Sequence, residues 1–274
     1  MRRVWIFSWT LWALLSVFSL SAVPAQERFD REEISEAQLS ADRMRFDSQS
    51  GDFLADGRVV IRVGDLTVRA SRGTGNVEAR EVHFAEGIEA SGSWQGDEVD
   101  LTAGSISLYF SQTPTYIAEG GVKGRIGRVF VDADKFYMKG SDIIARGVRR
   151  LENRALDVTF GAESIQGVIS GGELTALTAQ NRVWLRGRPN AGGEMVDIRG
   201  DTAVYSVERG SVVLSGNVRA VQKGRTLTSQ SIVYFPANNR IEAIGGVARD
   251  GKSPDTKPAR ITIDLKRNER KAPK

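Results

Sequence analysis

The chain contains no cysteine and a single histidine, His83. Without thiols there is neither a disulfide framework nor a thiolate metal site. One imidazole nearly excludes a conventional zinc centre and a histidine-activated nucleophile. No phosphate-cradling glycine loop opens a helix, so nucleotide binding has no support. Beyond residue 25 there is no long apolar run, and after Leu39 no 3.6-residue apolar stripe persists for a dozen positions, which excludes a helical fold. Nor does either charge dominate the body. The net charge of +4 arises at the ends, since Arg2 and Arg3 stand in front and residues from Arg249 onward carry nine basic and four acidic side chains. Residues 26–248 hold 27 basic against 30 acidic side chains, interspersed, which argues against a nucleic-acid-binding face.

What is present begins with an export signal. Arg2-Arg3 precedes an apolar run from Val4 to Leu20, followed by Ser21-Ala22-Val23-Pro24-Ala25. This is a charged, apolar and small-residue cleavage pattern, with Ala25 as the last residue removed. Val4 to Val23 is also long enough to remain as an anchor. Both readings place the rest of the chain outside the cytoplasm. Residues 26–38 form an acidic, polar lead-in.

From Leu39 the texture is period-two. Val59, Ile61 and Val63 alternate with Arg58, Val60 and Arg62; Ile106, Leu108 and Phe110 alternate with Ser105, Ser107 and Tyr109. The same alternation recurs at Leu156, Val158 and Phe160, at Val183 and Leu185, and at Val212 and Leu214. Half-buried antiparallel strands produce this pattern, so the fold class is all-β. Two phrases punctuate the strands. One is Ala/Gly-Asp with a large apolar residue four places on: Asp42…Phe46, Asp134…Met138, Asp201…Tyr205. The other is glycine followed closely by valine or isoleucine, as at Gly57, Gly87, Gly121, Gly147, Gly216 and Gly246. Residues 41–88 overlay residues 200–247 without a gap, Asp42 on Asp201 and Gly57 on Gly216. Glycines recurring about every thirty residues mark stacked units of about four short strands each. Residues 149–199 depart furthest from the repeat and leave room for an extra hairpin near Pro189-Asn190.

Candidate chemistry is thin. His83 lies between apolar Val82 and Phe84 and reads as an outward strand residue. Asp132 with Asp134, or Asp97 with Asp100, could pair as glycosidase carboxylates. Asp134, however, fills the repeat slot of Asp42 and Asp201, which points to turn geometry. Basic clusters at Lys123, Arg125 and Arg128, at Arg146, Arg149 and Arg150, and at Arg182, Arg186 and Arg188 read as solvated strand faces or as phosphate contacts. Trp184 is a candidate partner contact. Near the end, Ile261, Ile263 and Leu265 alternate with polar residues after Pro254 and Pro258. This isolated strand could close the stack or add to a neighbour's sheet.

The phrases Ala41-Asp42…Phe46…Gly57-Arg58-Val59, Gly200-Asp201…Tyr205…Gly216-Asn217-Val218 and Leu227-Thr228-Ser229…Tyr234…Ile241-Glu242-Ala243…Gly245-Gly246-Val247 resemble the OstA-like (LptA) family of lipopolysaccharide transport proteins. The resemblance covers most of residues 39–248. It implies an elongated antiparallel β-jellyroll, a folded-over sheet open along one side whose apolar interior receives acyl chains. It further implies a periplasmic bridge carrying lipopolysaccharide, or a similar acylated glycolipid, from inner to outer membrane. Copies or other bridge components would join end to end by strand addition, with no catalytic residues, cofactor or metal. The expected divisions are a signal peptide at 1–25, the lead-in at 26–38, β-repeat regions at 39–148 and 149–248, and a terminal strand with basic tail at 249–274. The chain exceeds a single-unit member, so it holds two units or an LptC-like unit fused to an LptA-like one. Alternation proposes Phe46, Val59, Ile61, Val68, Phe84, Leu108, Phe136, Tyr205, Leu214, Leu227 and Tyr234 as the lining. Burying lipid methylenes there would contribute about 0.8 kcal/mol each. The same side chains could instead fill a closed core, as in a structural or adhesive β-solenoid at the cell surface. A carbohydrate-active enzyme on a β-helix is the remaining alternative.

Overall fold

The computed structural model describes residues 37–94, 96–153, 157–187, 194–223, 225–238, 240–244 and 260–263. These contain β1 (Ala37–Ser40), β2 (Arg43–Phe46), β3 (Asp52–Val63), β4 (Leu66–Asn76), β5 (Glu81–Trp94), β6 (Asp97–Tyr109), β7 (Thr115–Ile126) and β8 (Val129–Lys139). They continue with β9 (Asp142–Asn153), β10 (Val158–Ser170), β11 (Glu173–Gly187), β12 (Val196–Ser206), β13 (Ser211–Gln222), β14 (Arg225–Phe235), β15 (Arg240–Ile244) and β16 (Arg260–Ile263). All belong to one antiparallel sheet in which β3 to β15 pair in chain order. Its two ends are built alike. β1 and β2 divide one flank of β3 between them, and β15 and β16 divide one flank of β14. The boundary expected at residue 148 falls inside β9, and the sheet crosses it without a break.

The long strands change register near their middles, for example between Asp56 and Val59, Ala85 and Ile88, Glu119 and Val122, and Ser215 and Val218. These shifts line up as one crease across the sheet. On each odd strand the crease residues are left-handed: Gly57-Arg58, Glu86-Gly87, Gly120-Gly121, Gly147, Asn181-Arg182 and Gly216-Asn217. Bulges bend a strand in this way. The thirty-residue spacing is therefore a pair of long, bent strands rather than four short ones. β11 uses Asn181 where its neighbours use glycine, and asparagine tolerates that region. This substitution is why residues 149–199 look divergent in the sequence.

The two recurring phrases are halves of one joint. Asp42 lies opposite Gly57, and its N–H donates to the Gly57 carbonyl at 2.8 Å. A Cβ on Gly57 would stand 2.7 Å from the Asp42 carboxylate. Asp134 covers Gly147 and Asp201 covers Gly216 in the same manner. Arg58 binds Asp42, Arg149 binds Asp132 and Asp134, and Asn217 Nδ2 donates to Asp201 at 3.2 Å. The repeated aspartates thus clamp the crease, and a catalytic pairing of Asp132 with Asp134 is replaced by shared binding to Arg149.

One apolar cluster runs from Ala55 to Tyr234 and draws on both halves of the bent strands. Leu174, Leu185, Ile198, Leu214 and Tyr234 are wholly buried, although the described residues offer only this sheet to cover them. The sheet must therefore fold along its crease and cover its own face. Contacts between non-neighbouring strands agree: the Tyr234 phenol of β14 packs on Gly187 of β11, and the Phe160 and Tyr205 rings lie 6.2 Å apart.

Candidate lipid-binding interior, its seam and its ends

Folding along the crease brings two rims together. One holds the turns after β3, β5, β7, β9, β11 and β13; the other holds the turns after β4, β6, β8, β10, β12 and β14. They touch midway along the sheet. The Arg128 N–H of the first rim donates to the Gly172 carbonyl of the second at 2.8 Å, and Arg128 Nη1 reaches Glu173 Oε1 at 2.7 Å. Buried Asn153 Nδ2 donates to the Leu174 carbonyl at 3.4 Å. Burial holds the Asp97 carboxyl above its ordinary value, against the Gly172 backbone hydrogen bond that pulls it down. These links are individually weak. Exposed ion pairs contribute about 0–1 kcal/mol and ordinary hydrogen bonds about 0.5–1.5 kcal/mol.

Of the residues predicted as lining, Val59, Ile61, Val68, Phe84, Leu108, Phe136, Tyr205, Leu214 and Tyr234 are buried in the common cluster. Leu227 is partly buried against it. Phe46 stands apart: it is 56% exposed on β2 at the sheet's end, where none of the described residues covers it. Ile261 and Ile263 lie in β16 and pair with Leu227 and Arg225 of β14. Leu265 lies outside the described residues, as do the signal segment, the basic tail, Arg188 and the loop at Pro189-Asn190. His83 sits half-buried with Nδ1 2.9 Å from Ser107 Oγ, a polar contact across neighbouring strands.

Among the described residues, the interior keeps a wholly apolar void of about 50 Å³, bounded by residues such as Leu66, Leu101, Ile106, Ala118, Ile126 and Met138. On that measure a water takes about 10–15 Å³, so the void has room for a few water-sized groups. The alternation exposed the lining residues but not this void, because its size depends on how facing layers meet. The Tyr205 and Tyr234 hydroxyls are buried without a hydrogen-bond partner among the described residues. Burial pushes both phenols up to about 12, with help from Glu173 at Tyr205 and Asp157 at Tyr234. An unmatched buried hydroxyl costs about 1–3 kcal/mol.

Among the described residues, an apolar interior spans the sheet and its end strands pair on one side only. The chain belongs to the family described as LptA/(LptD N-terminal domain) LPS transport protein, whose model matches residues 38–240. No curated protein matches it. Among solved structures it is similar to LptH, the LptA homologous periplasmic component of the conserved lipopolysaccharide transport device from Pseudomonas aeruginosa. The identity is 15%, covering 86% of this chain and 99% of that chain, with a TM-score of 0.27.

Proposed function

We propose that the protein is a periplasmic carrier, not an enzyme, which passes lipopolysaccharide or a similar acylated glycolipid from the inner to the outer membrane. The observation that carries this reading is the apolar interior that runs through the whole sheet of a chain belonging to an LPS transport family. Acyl chains enter by parting the rims at Arg128, Gly172 and Leu174, where the closing contacts are few and polar. They occupy the interior lined by Val59, Ile61, Val68, Phe84, Leu108, Phe136, Tyr205, Leu214, Leu227 and Tyr234. Copies or other bridge components add strands at the ends, β1 and β2 on one side and β15 and β16 on the other. Phe46 and Met44, exposed on β2, belong to that end contact. The two β-repeat regions then form one continuous conduit.

The small void favours a second reading, a structural or adhesive β-solenoid that binds carbohydrate or protein on its outer face. A photo-crosslinking residue at Leu108, inside, and another at His83, outside, separates the two. On adding lipopolysaccharide, the transport reading expects lipid adducts at Leu108 in native mass spectra and few at His83. Adducts at neither position, with a folded protein, would leave the solenoid. Concentration-dependent oligomers that vanish on deleting residues 259–274 support end-to-end assembly.

A further inference from the structure

Charges on the outer face are mostly matched across strands. Directly opposed pairs include Arg43–Asp56, Asp56–Arg72, Arg69–Glu89, Asp100–Arg125, Lys123–Asp132, Asp132–Arg150 and Arg186–Asp197. Opposite charges at such positions stabilise and like charges destabilise. Two registers oppose like charges. At Lys135–Arg146 the strain is relieved by Glu119, which binds Lys135. At Arg199–Arg219, Asp197 binds Arg199 in the same way and leaves Arg219 without an ion pair among the described residues.

The lateral row through this second register runs Trp184, Arg199, Arg219, Thr228 and Arg260, on β11, β12, β13, β14 and β16. Directly opposed residues of an antiparallel sheet share a face and stand about 4.5–5.5 Å apart at Cα. One row nearer the rim lie Arg186 and Asp197. Asp197 is the one carboxylate among these positions, and it is half-buried. It accepts from Arg186 Nε at 3.0 Å and from Arg199 Nε at 3.3 Å. Arg186 also stacks over the Trp184 ring, 5.3 Å from its centroid. Both guanidiniums are therefore anchored through Nε, and their terminal N–H groups make no hydrogen bond to the described residues. Arginine's fork is suited to phosphate oxygens through those same groups.

We propose that Arg186, Arg199 and Arg219, with Thr228 and Arg260 beside them, form a phosphate-binding site on the outer face. Its ligand is a phosphomonoester, carried by a lipid headgroup or present as free phosphate. Asp197 and Trp184 pre-position two guanidiniums, and the anion relieves the repulsion between Arg199 and Arg219. The site does not depend on acyl chains entering the interior.

The test is calorimetric titration of the full chain in neutral detergent, with inorganic phosphate and with a short-chain phosphatidic acid. Arginine Nε–H resonances report which guanidiniums respond. Saturable binding is expected, with perturbed Arg199 and Arg219 signals, and at least tenfold weaker binding in Arg199→Gln/Arg219→Gln. The control, Lys123→Gln/Arg125→Gln, loses the same charge from another part of the sheet and should bind as the parent does. Tighter binding of phosphatidic acid would assign the site to a headgroup; equal binding would assign it to phosphate itself. Equal weakening in both double variants, or no saturable binding of either probe, overturns the proposal. Lipid adducts at Leu108 report the interior separately, so either idea can fail alone.

Discussion

The N-terminal half of the sheet, β3 to β8, and the C-terminal half, β9 to β14, repeat one strand pattern yet pack differently. Core residues of the first half include Leu101 and Met138, each 8% exposed, and they border the 50 Å³ void. In the second half Leu174, Leu185, Val196, Ile198, Val212 and Leu214 are all at 0%. Small and large side chains line both halves, Ala90, Ala118 and Phe84 in the first and Ala179, Ala203 and Phe160 in the second, so the contrast is one of fit rather than composition.

The largest expected difference between the halves is in truncation. Leu185→Ala should cost about 2–5 kcal/mol in denaturant unfolding, as full burial implies. Leu101→Ala, beside space that already lacks partner atoms, should cost about 2 kcal/mol or less. Equal losses would mean that the void closes in solution and the contrast is absent.

The crease offers a finer comparison. Gly216 and Gly87 are both left-handed, at φ 80° and 64°, but Asp201 occupies the space above Gly216 while nothing lies within 4 Å of Gly87's missing Cβ. Gly87→Ala should cost ~1 kcal/mol from backbone strain alone. Gly216→Ala adds the displaced carboxylate and should reach ~2–3 kcal/mol. Restoring stability to Gly216→Ala by adding Asp201→Ala would sharpen the case for the clamp; no recovery would break it.

The smallest effect is alkaline. Tyrosine in an unfolded chain ionises near ~10, while Tyr205 and Tyr234 are held near 12 by burial. Their contribution is complete below pH ~10, and between there and 12 the unfolded state binds fewer protons, so stability falls as pH rises. Burial raises Tyr116 of the first half as well. Melting profiles of Tyr234→Phe and Tyr116→Phe should each flatten this alkaline limb. A limb unchanged in Tyr234→Phe would indicate that the tight half already opens to solvent.

Much of the fold was legible because alternation is a local property. Val59, Ile61 and Val63, or Val212 and Leu214, declare their buried face within a few residues. The glycine phrase likewise marked each crease position except on β11, where Asn181 does the same work without the signature. Legibility failed where the answer depended on partners far away in the chain. Asp134 was recognisable as structural, but not as the cover for Gly147 that shares Arg149 with Asp132. Phe46 carries the same pattern as Tyr205, yet it is exposed because, among the described residues, its strand pairs only with β3.

By itself the sequence determined an all-β chain, the residues that turn inward and the spacing of the bends, since strand alternation and left-handed glycine are set by local sterics. Only the tertiary structure decided that the bends align into one crease, that the rims meet at Arg128 and Gly172, and that Arg199 stands opposite Arg219. Register and closure arise from pairing between residues distant in sequence, and no local pattern encodes which strand will lie alongside.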